Sequence, residues 1–196
     1  MVNKSAAWLS NVFLKRGWIE QDDLDWCLYA LEKRLGLLLH FAAVAFWVGF
    51  SGLFTETLSF CVPLYFLRRR MGGIHAKSAF VCFFVSICLV ILSSAFWGEM
   101  LSRLPLPILF LSNIFFLAVA LLLRPAYPLQ VHFSPKEIDA NIRRKNYLLF
   151  LVLLIQCSSL AFFDGRVLAH SLCAVILCVI AVLLQKQKGR SNDEKA

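Results

Sequence analysis

Five apolar runs, at 35–67, 78–97, 104–123, 147–163 and 167–184, leave this chain few folds to adopt. A helix needs about 20 apolar residues to cross the hydrocarbon of a bilayer, and only helices and closed barrels satisfy their own backbone there. The runs are continuous rather than alternating, so they read as helices. Composition agrees: 60 % of the 196 residues are apolar and 16 % are charged, against roughly 45–50 % and ~25 % in soluble domains. That excludes disorder, a disulfide-stapled miniprotein and an ordinary water-soluble enzyme. The expectation is an all-α, polytopic membrane protein forming one compact unit.

The basic residues orient the runs. Arg68, Arg69, Arg70 and Lys77 fill the loop 68–77; Arg124, Lys136, Arg143, Arg144 and Lys145 fill the loop 124–146; Lys186, Lys188 and Arg190 follow the last run. The intervening loops hold only Glu99 and Arg103, then Asp164 and Arg166. The positive-inside rule puts the three basic segments, and both termini, in the cytosol. The net charge of +8, from 20 Lys+Arg against 12 Asp+Glu, then belongs to loops facing anionic membrane lipids and not to nucleic acid. With the N-terminus inside as well, the chain must leave and return within 35–67. Two crossings need roughly 40 residues, and that run has 33. The pair is expected to be short or re-entrant, with a turn near 52–56. This gives about six hydrophobic segments, four clear spans plus that pair.

Residues 1–34 lack the uninterrupted apolar core of a cleavable leader and carry Asp22, Asp23 and Asp25. Two amphipathic stretches fit there. Trp8, Leu9, Val12 and Phe13 share one helical face; Asp22 or Asp23 caps a second helix with Leu24, Leu28, Leu31 and Leu35 at spacings of 4, 3 and 4. The division expected is amphipathic cytosolic helices over 1–34, a membrane domain over 35–185 and a basic cytosolic tail over 186–196. Within 124–146, Pro125, Pro128 and Pro135 impose an extended path. Ser134-Pro135-Lys136-Glu137 then reads as an N-cap, a first-position proline and an acidic first turn, opening a short helix.

Seven cysteines form no CxxC pair, and an odd number cannot close a full disulfide framework. Most are expected to pack as small apolar groups. There is no HExxH and no Cys/His ligand spacing, so no metal and no cofactor are expected. His40, His132 and His170 read as structural, and Asn113 and Gln156 as hydrogen-bonding partners between helices.

Chemistry is concentrated at His75 and Cys82. A thiol becomes a nucleophile when an imidazole takes its proton or positive potential favours the thiolate. Ser78 can cap the run beginning there, which places Cys82 about one turn in, within reach of the positive end of the helix. On a continuous helix the two side chains would stand about 10.5 Å apart along the axis, so His75 must lie outside it and fold back. Gly72-Gly73 permits that bend. Spacing alone leaves a packing role open for both residues, and a non-enzymatic small transporter or sensor remains the alternative. The intramembrane polar residues available to line a pathway are few: Glu56, Asn113 and Gln156.

The block RRRMGGIHAKSAFVC, 68–82, resembles the signature of the AgrB family, the membrane cysteine endopeptidases of bacterial accessory gene regulator quorum sensing. Arg68, Gly72, Gly73, His75, Ala76 and Cys82 match its Arg, Gly-Gly, His-Ala and a Cys seven residues after the His. Where family members usually carry lysines, this chain has Arg143, Arg144 and Lys145, which keeps the charge and changes the hydrogen-bond geometry. The resemblance implies an enzyme of the bacterial cytoplasmic membrane, its centre on the cytosolic side. It would cut an AgrD-like propeptide ahead of its acidic C-terminal tail, with Cys82 as nucleophile and His75 as general base. A thioester acyl-enzyme would then cyclise to a thiolactone or lactone. Arg68, Arg69, Arg70, Gly73, Arg143, Arg144 and Lys145 are the expected substrate-binding residues, and a homodimer is left open.

Overall fold

The computed structural model of the protein describes residues 2–73, 79–126, 134–160 and 165–193. These form seven helices with no strand among the described residues. The first, α1, is Val2–Lys15. It packs on α2, Leu24–Ser51, with Ala6 and Ser10, one turn apart, buried and Trp8 turned outward.

The start of α2 follows the acidic turn Gln21–Asp23, where the sequence predicts a cap, although no side chain of Asp23 bonds to the helix end. Its extent differs from expectation. No break occurs at residue 34: the stretch predicted as a surface helix and the first apolar run are one helix of 28 residues, about 42 Å long. Lys33 and Arg34 are exposed on its side, where long basic chains keep their heads in polar surroundings without interrupting the helix. The turn itself falls where predicted. Gly52, at φ 72°, closes α2 in the left-handed conformation and its N–H reaches Val48 O at 2.9 Å. Helix α3, Phe54–Met71, follows.

The four clear runs each correspond to a helix. Ala79–Leu92, a π-helical turn at Ser93–Trp97 and Gly98–Ser102 make up one continuous helix, α4, over 79–102. Then come α5, Leu106–Leu122, α6, Pro135–Leu160, and α7, Arg166–Asp193. Among the described residues three helical stretches, Gln21–Ser51, Phe80–Ser102 and Arg166–Lys188, are long and apolar enough to cross a membrane, and Leu106–Leu122 is a shorter apolar helix. The start of α6 has the N-cap, first-position proline and acidic first turn read from the sequence, and the bonds between Ser134 and Glu137 make it a capping box. Ser134 N–H and Oγ–H both donate to Glu137 Oε2 at 2.8 Å, and Glu137 N–H returns to Ser134 Oγ at 3.4 Å.

The centre of the molecule is α7, which packs most extensively on α3 and also meets α5 and the last turn of α4. One cluster joins Leu67 and Met71 of α3, Leu117 and Ala120 of α5, Leu149 of α6 and Val179 of α7. Buried polar groups bridge the same helices. Gln156 Nε2 donates to Asn113 Oδ1 at 2.8 Å and to Ser171 Oγ at 2.7 Å, as the pairing of intramembrane amides leads one to expect. Glu56 meets Arg166 at 3.7 Å. Glu56, Asn113 and Gln156 thus each have a partner on another helix. At this same end of the bundle the His170 ring is fully buried against Gly98, its Nδ1 2.8 Å from Arg166 O and its Nε2 3.3 Å from Ser94 O in the π turn.

Candidate active site

The last turn of α3 carries Arg68, Arg69 and Arg70, and the chain turns away at Gly72-Gly73. Here it pairs with the exit of α5. Gly73 N–H donates to Ala126 O at 2.9 Å and Ala126 N–H to Met71 O at 2.9 Å, an isolated parallel bridge between Gly72 and Ala126. The close approach explains the residue type at 73. Gly73 has φ 120°, and a Cβ there would lie 3.0 Å from the Cβ of Ala181 and 3.3 Å from its carbonyl carbon. His75 lies outside the described residues, as does His132. The chain resumes at Ala79, and Cys82 is the fourth residue of α4, half-buried in its first turn.

Around Cys82 the first turns of α4 are aromatic. Phe80 and Phe84 meet at a centroid distance of 4.6 Å with their planes tilted by 52°, and Phe83 meets the His40 ring of α2 edge-on at 6.1 Å. The thiol therefore sits at a helix start with apolar rings on neighbouring positions. Cys27, Cys173 and Cys178 are buried, and all seven cysteines are free thiols.

The two basic clusters predicted as separate loops come together. Arg70 Nη1 donates to Asn141 Oδ1 of α6 at 3.1 Å, which sets the end of α3 beside the turn that carries Arg143 and Arg144. Arg69, Arg143 and Arg144 are exposed, while Arg68 and Arg70 are half-buried. Lys145 differs from its neighbours. It is 1 % exposed, and its ammonium donates to Ala120 O at 2.9 Å, Leu121 O at 2.8 Å and Leu123 O at 2.7 Å. Burial pushes its pKa below the ordinary lysine range, and the nearby charge of Lys186 adds to that. All three N–H donors are occupied within the protein, so within 143–145 the exposed charges are those of Arg143 and Arg144.

Two contributors, Asn141 and Ala126, are absent from the sequence-based set. Asn141 stands one turn before Lys145 on α6, and Lys145 is spaced with the buried Leu149, Val152, Gln156 and Ser159 at intervals of 4, 3, 4 and 3. That stripe was the available signal. Ala126 acts only through its backbone, which no residue type announces.

The family model for accessory gene regulator B matches residues 3–186. No curated protein and no solved structure matches the chain.

Proposed function

The chain belongs to the accessory gene regulator B family, a membrane family that processes the system's autoinducer propeptide, and on that premise we propose that it is a cysteine endopeptidase acting through Cys82 and His75. The observation that carries this reading is Cys82 in the first turn of α4, immediately after the segment that contains His75 and that is tethered at Gly73. His75 takes the thiol proton as Cys82 Sγ attacks the scissile carbonyl, then delivers it to the leaving amine of the peptide's C-terminal portion. The product is a thioester between the peptide's new C-terminus and Cys82. A Cys or Ser side chain within the peptide attacks that thioester, releases Cys82 and closes a thiolactone or lactone. The aromatic residues around Cys82 support this outcome, since an apolar surround limits the water that would hydrolyse the thioester.

The centre faces the cytosol on this reading, with Arg69, Arg143 and Arg144 drawing in the acidic tail of an AgrD-like propeptide. Anionic headgroups engage the remaining surface charges. The experiment is a single-turnover reaction of full-length protein in lipid with its propeptide, quenched with hydroxylamine and weighed. A hydroxamate at the new C-terminus, lost in Cys82→Ala and with proton transfer impaired in His75→Ala, is the expected result. Processing at wild-type rate by either well-inserted variant removes the dyad.

A further inference from the structure

The end of α5 presents a problem that the sequence around it does not solve. The last carbonyls of a helix have no partner within it. The usual remedy is a glycine just past the end, yet here the chain continues Leu123-Arg124-Pro125, in extended conformation at Leu123. Pro125 has no N–H to offer Leu121 O, and an unsatisfied carbonyl is costly where water is scarce. Lys145 supplies the missing donors from another helix. Its single ammonium collects Ala120 O, Leu121 O and Leu123 O within 2.9 Å, at a site closed to solvent.

The fixed end continues directly into function. Three residues beyond Leu123, Ala126 forms the two backbone bonds that hold Met71 and Gly73, and His75 follows Gly73 by two residues. One turn before Lys145 on the same helix, Asn141 accepts from Arg70 and fixes the end of α3. Thus α6 grips both arms of the Gly72–Ala126 bridge, one through Asn141 and the other through Lys145. From this we infer that Lys145 is a positioning residue for the candidate centre, holding the exit of α5 and, through Ala126, the stretch Met71–Gly73 at which α3 ends, and that it takes no part in receiving the peptide's charged tail. The inference rests on the cysteine peptidase reading for its effect on turnover; the structural link from Lys145 to the bridge stands apart from it.

Lys145→Met keeps the length and burial and removes every donor. In full-length protein in lipid, its kcat is expected to fall at least tenfold, the worth of one charge-assisted hydrogen bond. KM should stay within about twofold for both an acidic-tailed propeptide and one whose tail acids are replaced by amides. Amide exchange at Ala126 should accelerate by a similar factor of ten or more. The Arg143→Gln/Arg144→Gln variant should do the reverse, raising KM for the acidic tail and leaving Ala126 protection intact. Lys145→Gln, which keeps two N–H donors, gives the graded case if the Met variant does not insert, with an intermediate gain in exchange. A rise in KM confined to the acidic substrate, with kcat and Ala126 exchange unchanged, makes Lys145 a substrate receptor and overturns the proposal. Faster exchange at Ala126 alongside wild-type protein that shows no Cys82-dependent turnover retains the link to the bridge and removes the enzymatic reading instead.

Discussion

Placing a methyl group at residue 73 tests how the bridge is held. Gly73→Ala forces an L-residue to φ 120°, a region that costs of order 1–3 kcal/mol outside glycine. The new Cβ also meets the Ala181 Cβ at 3.0 Å and its carbonyl carbon at 3.3 Å, inside the 3.5–4.0 Å optimum for carbon pairs. Ala181 belongs to the central helix α7 and cannot withdraw cheaply. Against this stand two backbone hydrogen bonds, Gly73 N–H to Ala126 O and Ala126 N–H to Met71 O, worth about 0.5–1.5 kcal/mol each. The two sums are comparable, whereas unfolding the whole molecule costs on the order of 5–15 kcal/mol. The strained segment therefore releases the bridge and the bundle stays folded. Exchange of the Ala126 amide should rise by roughly five- to hundredfold, with a parallel loss of propeptide processing and little change in global unfolding. Adding Ala181→Gly removes the 3.0 Å contact but not the φ strain, so recovery should be partial. Gly49→Ala, where a Cβ has nothing within 4 Å, is the control. The reasoning is refuted by a Gly73→Ala protein with wild-type Ala126 exchange and wild-type processing.

Two further outcomes follow from the other end of the bundle and from the capping box. Gly98→Ala would put a Cβ 2.1 Å from Cδ2 of His170, a ring fixed between Arg166 O and Ser94 O. Overpacking should lower stability by about 1–3 kcal/mol in a detergent unfolding titration, with Gly98→Ala/His170→Ala recovering much of the loss in a double-mutant cycle. Glu137 is held below the ordinary carboxylate range by hydrogen bonds from Ser134, first from its backbone N–H and then from its hydroxyl. Its contribution to the first turn of α6 is thus present above the unfolded carboxylate pKa and lost as pH falls through the lower folded value. Amide exchange at Ser134 should reveal that acid opening, and Glu137→Gln should remove its pH dependence.

Helix positions were legible in the sequence where apolar length decided them. The division at residue 34 separated an amphipathic stretch from an apolar run, yet a helix propagates through Lys33 and Arg34, whose heads stay exposed on one side, so α2 runs on past both. The turn at Gly52 and the N-cap at Ser134 with its acidic first turn depend on local chemistry and were readable in advance. So was hydrogen bonding between helices at Asn113 and Gln156, although that the two bond to each other emerges only from the fold. Lys145 shows why the candidate site was only partly legible. Its two basic neighbours invite treating 143–145 as one solvated cluster, although its place on the buried stripe of α6 separates it from Arg143 and Arg144. Its three acceptors are backbone carbonyls on another helix, and the bridge at Gly72 and Ala126 is likewise backbone to backbone. Interactions of that kind leave no trace in side-chain patterns.

The π turn at Ser93–Trp97 has a bearing on Cys82 that its distance conceals. A turn of this kind accommodates one additional residue within an otherwise α-helical ladder, and each residue advances a helix by about 100°. The half of α4 before the turn and the half after it are consequently out of phase, and the latter is indexed against α7 by the fit of Gly98 to His170. Excising a single residue from this stretch would regularise the ladder and improve its hydrogen bonding. It would also swing the thiol, about 20 Å away along the axis, about a quarter-turn around the rod. The irregularity is the phase setting that lets one helix fit His170 at one end while it fixes the direction of Cys82 at the other.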